Sequence, residues 1–360
     1  MEPTPRQADA ETAGSAEPAP PPAARRRWLA AARLAVLAVA LGLIAWYVWR
    51  NADDFRGLGK LSPASVAAAL GLDAMLYVYG AAAIILAVHL FGPRLAPGEA
   101  VLLALMTRFG NLLLPLRGGA VARALYLNKR HGLSYAHFLA GLSAMLLAML
   151  AACLGLALVG LIAIGLATGR FFPCVTALLA AILAGAAMTV MLRPRKRDQA
   201  PFPGPGQNPD EQATPQREKV AEPFSLRWVR AQGRRLLDGY HLVSRNKPVL
   251  LGLLATSSLH VATLAGVYAV LLAGMAKPAD LGLLVVVVAI VNVSNILHIT
   301  PGNVGVYEGL LAILGSLMGL EVADLLAAGL TARVLDTALI LAVGPVSSYL
   351  LTGKAFGQKR

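Results

Sequence analysis

Six ionisable side chains stand in runs that are otherwise apolar: Arg108, Arg117, Arg123, Glu308, Arg333 and Asp336. An Arg, Lys or Asp at the middle of a membrane span costs about 2.5–3.5 kcal/mol. Each of the six therefore needs a partner, a wet cavity or a path to the interface. Arg offers a planar, permanently charged fork that matches a phosphate. Arg117 and Arg123 sit at and just past the turn that Pro115 and Gly118-Gly119 mark. They read either as contacts for a phospholipid or polyprenyl-phosphate headgroup, or as side chains that snorkel to the cytoplasmic interface. Arg108 lies deeper. Glu308 is placed to pair with Arg123 or Arg333, or to carry a proton if transport is coupled. Arg333 and Asp336 are three apart on one helical face and can pair with each other. Asp73 interrupts a further apolar run and is expected to face the cavity.

The neutral polar groups divide similarly. His260, His298, Asn292 and Asn295 read chiefly as hydrogen-bonding glue between helices, with contact to a substrate as the other reading. Cys153 and Cys174 read as two small buried hydrophobes, because no CxxC or His pairing accompanies them. Gly302, Gly305 and Gly309 follow no βαβ unit, so they are not a nucleotide fingerprint. They suit a tight turn and close helix approach. No HExxH, GxSxG, kinase or Walker pattern is present. No catalytic residue, metal or cofactor is indicated, and a transporter-like protein is expected rather than an enzyme.

These residues need elements to hold them, and composition says which. The 360 residues are 57% hydrophobic and 14% charged, with a net charge of +13 and a mean hydropathy of +0.64. Soluble domains carry about 25% charge. The imbalance excludes a disordered chain and argues against a soluble enzyme. An all-α polytopic membrane protein remains. Residues 1–27 read as a cytoplasmic tail, disordered through its Pro- and Ala-rich start and ending in Arg25, Arg26 and Arg27. Apolar runs follow at 28–49, 64–91, 99–116, 135–168 and 171–192, forming a first membrane half over 28–192. Residues 193–248 hold twelve Lys/Arg and six Asp/Glu. They read as a basic cytoplasmic linker ending in an amphipathic interfacial helix. A second half, 249–351, has runs at 249–275, 281–299, 304–320 and 323–351, and 352–360 is a basic tail. Eight to nine apolar segments result. The run 135–168 exceeds the roughly 20 residues of a perpendicular span, so it must tilt or project.

Lys and Arg collect on the cytoplasmic side of bacterial-type inner-membrane proteins. Both termini and the linker are therefore expected in the cytoplasm. Nucleic acid is not needed to explain the basic balance. Parity then requires the unit 99–130 to enter and leave on the cytoplasmic side, and 281–320 to enter and leave on the other. About six full spans and two re-entrant units of broken helices result. The two units share a pattern. One reads Asn111-LLLPLR-Gly118-GAVARALYL and the other Asn295-ILHITP-Gly302-NVGVYEGLL. Opposite entry and shared spacing imply an inverted-topology repeat whose breaks meet near the midplane. Non-helical backbone is tolerated there only where protein or water satisfies it.

The segment Asn111-LLLPLRGGAVARALYLNKRHGLS, with Thr300-PGNVGVYEG and Ala332-RVLD further on, resembles the lysylphosphatidylglycerol synthase membrane-domain family, also called flippase-like. The resemblance runs over about residues 28–351. It departs from the family in one span: many members carry a Glu-Arg pair and an Asp where this chain reads Gly141-LSAMLLAML. The full synthases also carry an aminoacyl transferase domain, which the residues here do not contain. The resemblance implies a lipid-translocating or lipid-handling membrane domain, not aminoacyl transfer. On that footing the expected substrate-binding set is Arg108, Asn111, Arg117, Arg123, Asn295, Gly302, Tyr307, Glu308, Arg333 and Asp336. The expected partners are membrane lipids with anionic headgroups, with a homo-oligomer or a membrane partner protein also open. Two other functions stay open. One is an embedded lipid transferase, for example in glycosyl transfer, with Glu308 and Asp336 as acid and base. The other is a non-transporting partner in lipid or envelope biosynthesis.

Overall fold

The computed structural model describes residues 61–113, 118–191, 246–277, 280–297, 303 and 305–356. The expected first span at 28–49, the 193–245 part of the linker, the N-terminal tail and residues 357–360 lie outside them, as do Arg117, His298 and Gly302; residues 352–356 of the expected C-terminal tail instead continue the last helix. Among the described residues every regular element is a helix. They are α1 (Pro63–His89), α2 (Pro97–Leu113), α3 (Gly118–His131), α4 (Tyr135–Thr168), α5 (Pro173–Met191), α6 (Lys247–Gly274), α7 (Leu281–Leu297), α8 (Val306–Leu317) and α9 (Val322–Phe356).

Local chemistry sets the helix ends. Ser62 accepts from the Ser65 amide, with Pro63 in the first turn of α1. Ser134 accepts from the His137 amide at the start of α4, and Gly169 closes that helix in the left-handed region at φ +65°. Hydroxyls inside the helices bond back to the carbonyl four residues earlier. Thr107, Thr168, Thr176, Thr256, Thr331, Ser347, Ser348 and Thr352 all do so, at 2.6–2.9 Å.

Helices α1, α4, α6 and α9 are long and apolar enough to cross a membrane. The chain is a multi-pass membrane protein. Its helices α2, α3, α7 and α8 have 17, 14, 17 and 12 residues. At 1.5 Å per residue they measure about 18–26 Å, short of a hydrocarbon core of about 30 Å. The 34 residues of α4 run unbroken, which gives about 51 Å.

The centre of the bundle is α7, where Leu284, Val286, Val287, Val288, Ala289 and Val291 are fully buried. Helix α4 packs along it and α6 and α8 flank it. α1 packs along α6, and α9 lies against α2, α6 and α8. Cys153 is buried in this core, as expected, whereas Cys174 is exposed. Cys174 sits in the first turn of α5.

Candidate functional site

The first short pair, α2 and α3, is an antiparallel hairpin. Glu99 near the start of α2 meets Tyr126 and His131 late in α3, while Gly110 meets Gly119 beside the break. The approach at the break is as close as backbones allow. A Cβ on Gly119 would stand 1.8 Å from the Thr107 carbonyl oxygen, and one on Gly110 would stand 2.6 Å from the Gly119 Cα. Across the break, the Asn111 Oδ1 accepts the Gly119 amide at 3.0 Å. Asn111 thus satisfies one of the amides that a helix start leaves without an intrahelical partner.

The second pair, α7 and α8, is joined in the same register. Asn295 Oδ1 accepts from Asn303 Nδ2 at 2.9 Å, again eight residues on. Asn303 Nδ2 also donates to Ser294 Oγ at 2.7 Å, and Asn295 Nδ2 donates to Asn292 Oδ1 at 2.7 Å. Asn292 faces the sulfurs of Met149 and Cys153 on α4. Asn292 and Asn295 thus link α7 to α4 and to Asn303 through hydrogen bonds. Gly305, at φ +84°, turns the chain into α8. Its amide donates to Glu308 Oε2 at 2.7 Å, so Glu308 caps its own helix. Gly309 plays no close-approach role, since a Cβ there would meet nothing within 4 Å.

Helix α9 serves both units. Arg333 Nη1 lies 2.9 Å from Glu308 Oε1, and its Nη2 donates to the Asn303 carbonyl at 3.3 Å. Its guanidinium lies 4.9 Å over the Tyr307 ring, and the Tyr268 hydroxyl donates to the Tyr307 hydroxyl at 3.1 Å. One turn further along, Asp336 turns to the first unit. Its Oδ2 lies 3.2 Å from Arg108 Nη2, and its Oδ1 accepts a hydrogen bond from Tyr77. Arg333 and Asp336 do not pair with each other as their spacing suggested. Each is claimed by a different broken-helix unit, because α9 is wedged between the two. Likewise Glu308 takes Arg333 and not Arg123. Arg123 is buried elsewhere, 5.3 Å over the Phe138 ring and beside a small recess lined by Ile84, Val88, Leu127 and Met145.

Asp73 is buried at 6% exposure and faces the cluster, where Asp336 and Arg108 act on it. His260 on α6 lies beside the Leu76 backbone, near Arg108 and Asp336. Arg108 also acts on Tyr307, so the two charge clusters are neighbours. The Arg108 side chain nevertheless remains 55% uncovered by protein.

Of the expected set, Asn295, Tyr307, Glu308 and Arg333 meet around Asn303 and the second pair, Arg108 and Asp336 meet at the first, Asn111 bonds Gly119, and Arg123 lies apart. Sequence reasoning missed Tyr77 and Tyr268. Tyr77 follows Asp73 by four residues, the spacing of one helical face, and that signal was available. It also missed the Glu99–Tyr126–His131 group. There Glu99 accepts from Tyr126, and His131 Nε2 lies 3.0 Å from Glu99 Oε1. Among the described residues no three His, Cys, Asp or Glu side chains are grouped to hold a metal.

A family model described as the lysylphosphatidylglycerol synthase TM region matches residues 33–344. The chain belongs to this family. The match covers both broken-helix units and the whole of the charge network. A comparison with curated proteins gave no match. Family membership makes the chain a membrane domain associated with lipid handling, in contact with membrane lipids.

Proposed function

We propose that this chain translocates an anionic lipid or lipid-linked intermediate across a bacterial-type inner membrane. The 193–248 segment and both termini then face the cytoplasm, as the Lys and Arg distribution of the sequence favours. The two broken-helix units are inverted re-entrant halves, and the lipid headgroup passes between them. The observation that carries this reading is Arg108. It is a permanent cation on a helix flanking a chain break, tethered to Asp336 at one nitrogen and more than half uncovered. A purely structural ion pair in hydrocarbon would be closed on all sides, since desolvated charge must be matched. An uncovered guanidinium beside a break instead offers free donors to a phosphate. Asn111 and Asn295 hold the breaks. Arg333, Glu308 and Tyr307 brace the far wall, and Arg117, Arg123 and Gly302 belong to the lipid path in this reading.

Glu308 is engaged by Arg333 and by the Gly305 amide, which favours bracing over acid–base chemistry. The test is reconstitution of the full chain in vesicles carrying headgroup-labelled phosphatidylglycerol or a labelled polyprenyl phosphate. Label should cross faster than in empty vesicles, and Arg108→Gln should slow it at least about tenfold. Equal rates with and without protein for both lipid classes would overturn the proposal.

A further inference from the structure

Helix α9 runs for 35 residues with a proline inside it, Pro345. Proline has no amide hydrogen, so the Leu341 carbonyl loses its donor from the next turn, and the ring crowds that carbonyl. Leu341 and Pro345 are exposed, while Gly344 and Ser347 are buried. Gly344 meets α2 so closely that a Cβ on it would stand 2.6 Å from the Phe109 Cβ. The hydrogen-bond ladder is therefore interrupted where the helix leans on its neighbour. Ser347 and Ser348 bond back to the Val343 and Gly344 carbonyls at 2.9 Å, a pattern that itself tends to bend helices. The two sides of this point are packed into different bodies. Before it, Leu325, Ala327 and Ala328 lie in the central core with Leu284 and Leu311, and Arg333 is tied to Glu308 of α8. After it, Leu351 is fully buried with Ala100 and Leu103 of α2 and Leu127 of α3. The α2–α3 hairpin is fastened at both ends, Glu99 to His131 and Gly110 to Gly119. Asp336 to Arg108, at 3.2 Å, is a bond that joins the two bodies. Asp336 stands nine residues before Pro345, about 13 Å along the axis.

We propose that α9 is hinged at Gly344–Pro345, and that residues 322–343, with the second broken-helix unit, tip on this hinge against the α2–α3 hairpin. The contact of Gly344 with Phe109 is the fulcrum. Arg108 precedes Phe109 in the chain, so its backbone stays with the fulcrum while Asp336 swings. Leu351, close behind the hinge, stays seated in the hairpin core. Ten degrees of tipping carries Asp336 by about 2 Å, enough to open or close its bond to Arg108. Proline breaks are where long helices bend, and hinges concentrate the backbone change in a few residues. The hinge stands on packing alone; that it serves lipid passage rests on the headgroup role proposed for Arg108.

Distances between paired spin labels on the full chain in lipid nanodiscs test the hinge, with Cys174→Ser removing the exposed thiol. The labels go on exposed positions as Val334→Cys before the hinge, Tyr349→Cys after it and Val121→Cys on α3. The pair 334–121 should show two distance populations, and the pair 349–121 should show one. Pro345→Ala returns an amide donor to the Leu341 carbonyl and should leave the first pair with one population. Should that variant fail to fold, the two label pairs without it still decide. One population for both pairs, equal heterogeneity in both, or two populations surviving in Pro345→Ala would overturn the hinge. In vesicles carrying headgroup-labelled phosphatidylglycerol, Pro345→Ala should slow lipid movement at least about tenfold. An unchanged rate would sever the hinge from transport. Lipid movement by a protein with one population in both pairs removes the hinge and leaves the transport reading. Two populations in a protein that moves no lipid do the reverse.

Discussion

The two broken-helix units solve one problem in two ways. Both place an Asn at the end of the entering helix, and both bond it to the residue eight positions on. In α2–α3 that residue is Gly119, whose missing side chain lets its backbone amide come to Asn111. In α7–α8 it is Asn303, whose side chain makes the reach and leaves its carbonyl free for Arg333. The first solution is a close contact of backbones with an uncovered Arg108 beside it. The second is a buried network in which Asn295, Asn303, Glu308 and Arg333 brace one another. The same register thus supports one half built to stay closed and one half with a cation on display.

Each substitution below strains one side of that contrast. The largest effect is expected from Gly119→Ala. Its Cβ would overlap the Thr107 carbonyl, a backbone atom that cannot rotate away. The folded, monodisperse protein should be lost on size exclusion in detergent. A normal elution profile would mean that the first unit is looser than described. Next is Glu308→Ala, which leaves the Arg333 charge without its carboxylate. About 2–3 kcal/mol should be lost in denaturant titration, and a double-mutant cycle with Arg333→Ala should show strong coupling. The same cycle with Arg123→Ala should be additive to within about 0.5 kcal/mol. Coupling there would join two regions kept apart above. Asn303→Ala should cost about 1–2 kcal/mol and Asn111→Ala about 1 kcal/mol in thermal melts, because Asn303 loses two bonds and Asn111 one. The reverse order would undo the contrast between network and backbone contact. The smallest stability effect belongs to Arg108→Gln. Its half-open ion pair should contribute less than about 1 kcal/mol, while lipid movement falls. A large fall in melting temperature would make Arg108 a structural residue after all.

Much of this was legible in the sequence. Apolar runs marked the helices, and Pro115 and Pro301 fall between the members of each short pair. Four of the six isolated charges, Arg108, Glu308, Arg333 and Asp336, lie in the network, whereas Arg123 packs over Phe138 and Arg117 lies outside the described residues. Partner choice was not legible. Spacing along α9 suggested that Arg333 and Asp336 pair, because it sees only one helix. The fold rotates them towards different neighbours, Glu308 on α8 and Arg108 on α2. Tyr77 and Asp336 are 259 residues apart, and no local period links them. Glu99, Tyr126 and His131 each look unremarkable until the hairpin brings its ends together. Charge shows that a partner must exist, and only packing shows which one.

The hydroxyls that bond back along their own helices have a wider consequence. Ser347, Ser348 and Thr352, like the threonines of α2, α4, α6 and α9, direct their protons to the carbonyl one turn behind. In oil such a helix carries its own solvent. A polar molecule drifting past these surfaces meets groups already answered from within. The contrast with the cluster at α1, α2 and α9 is then sharp. There a guanidinium and a carboxyl oxygen are left with capacity to spare. To a headgroup seeking company inside the membrane, those helix surfaces are silent, and this cluster is not.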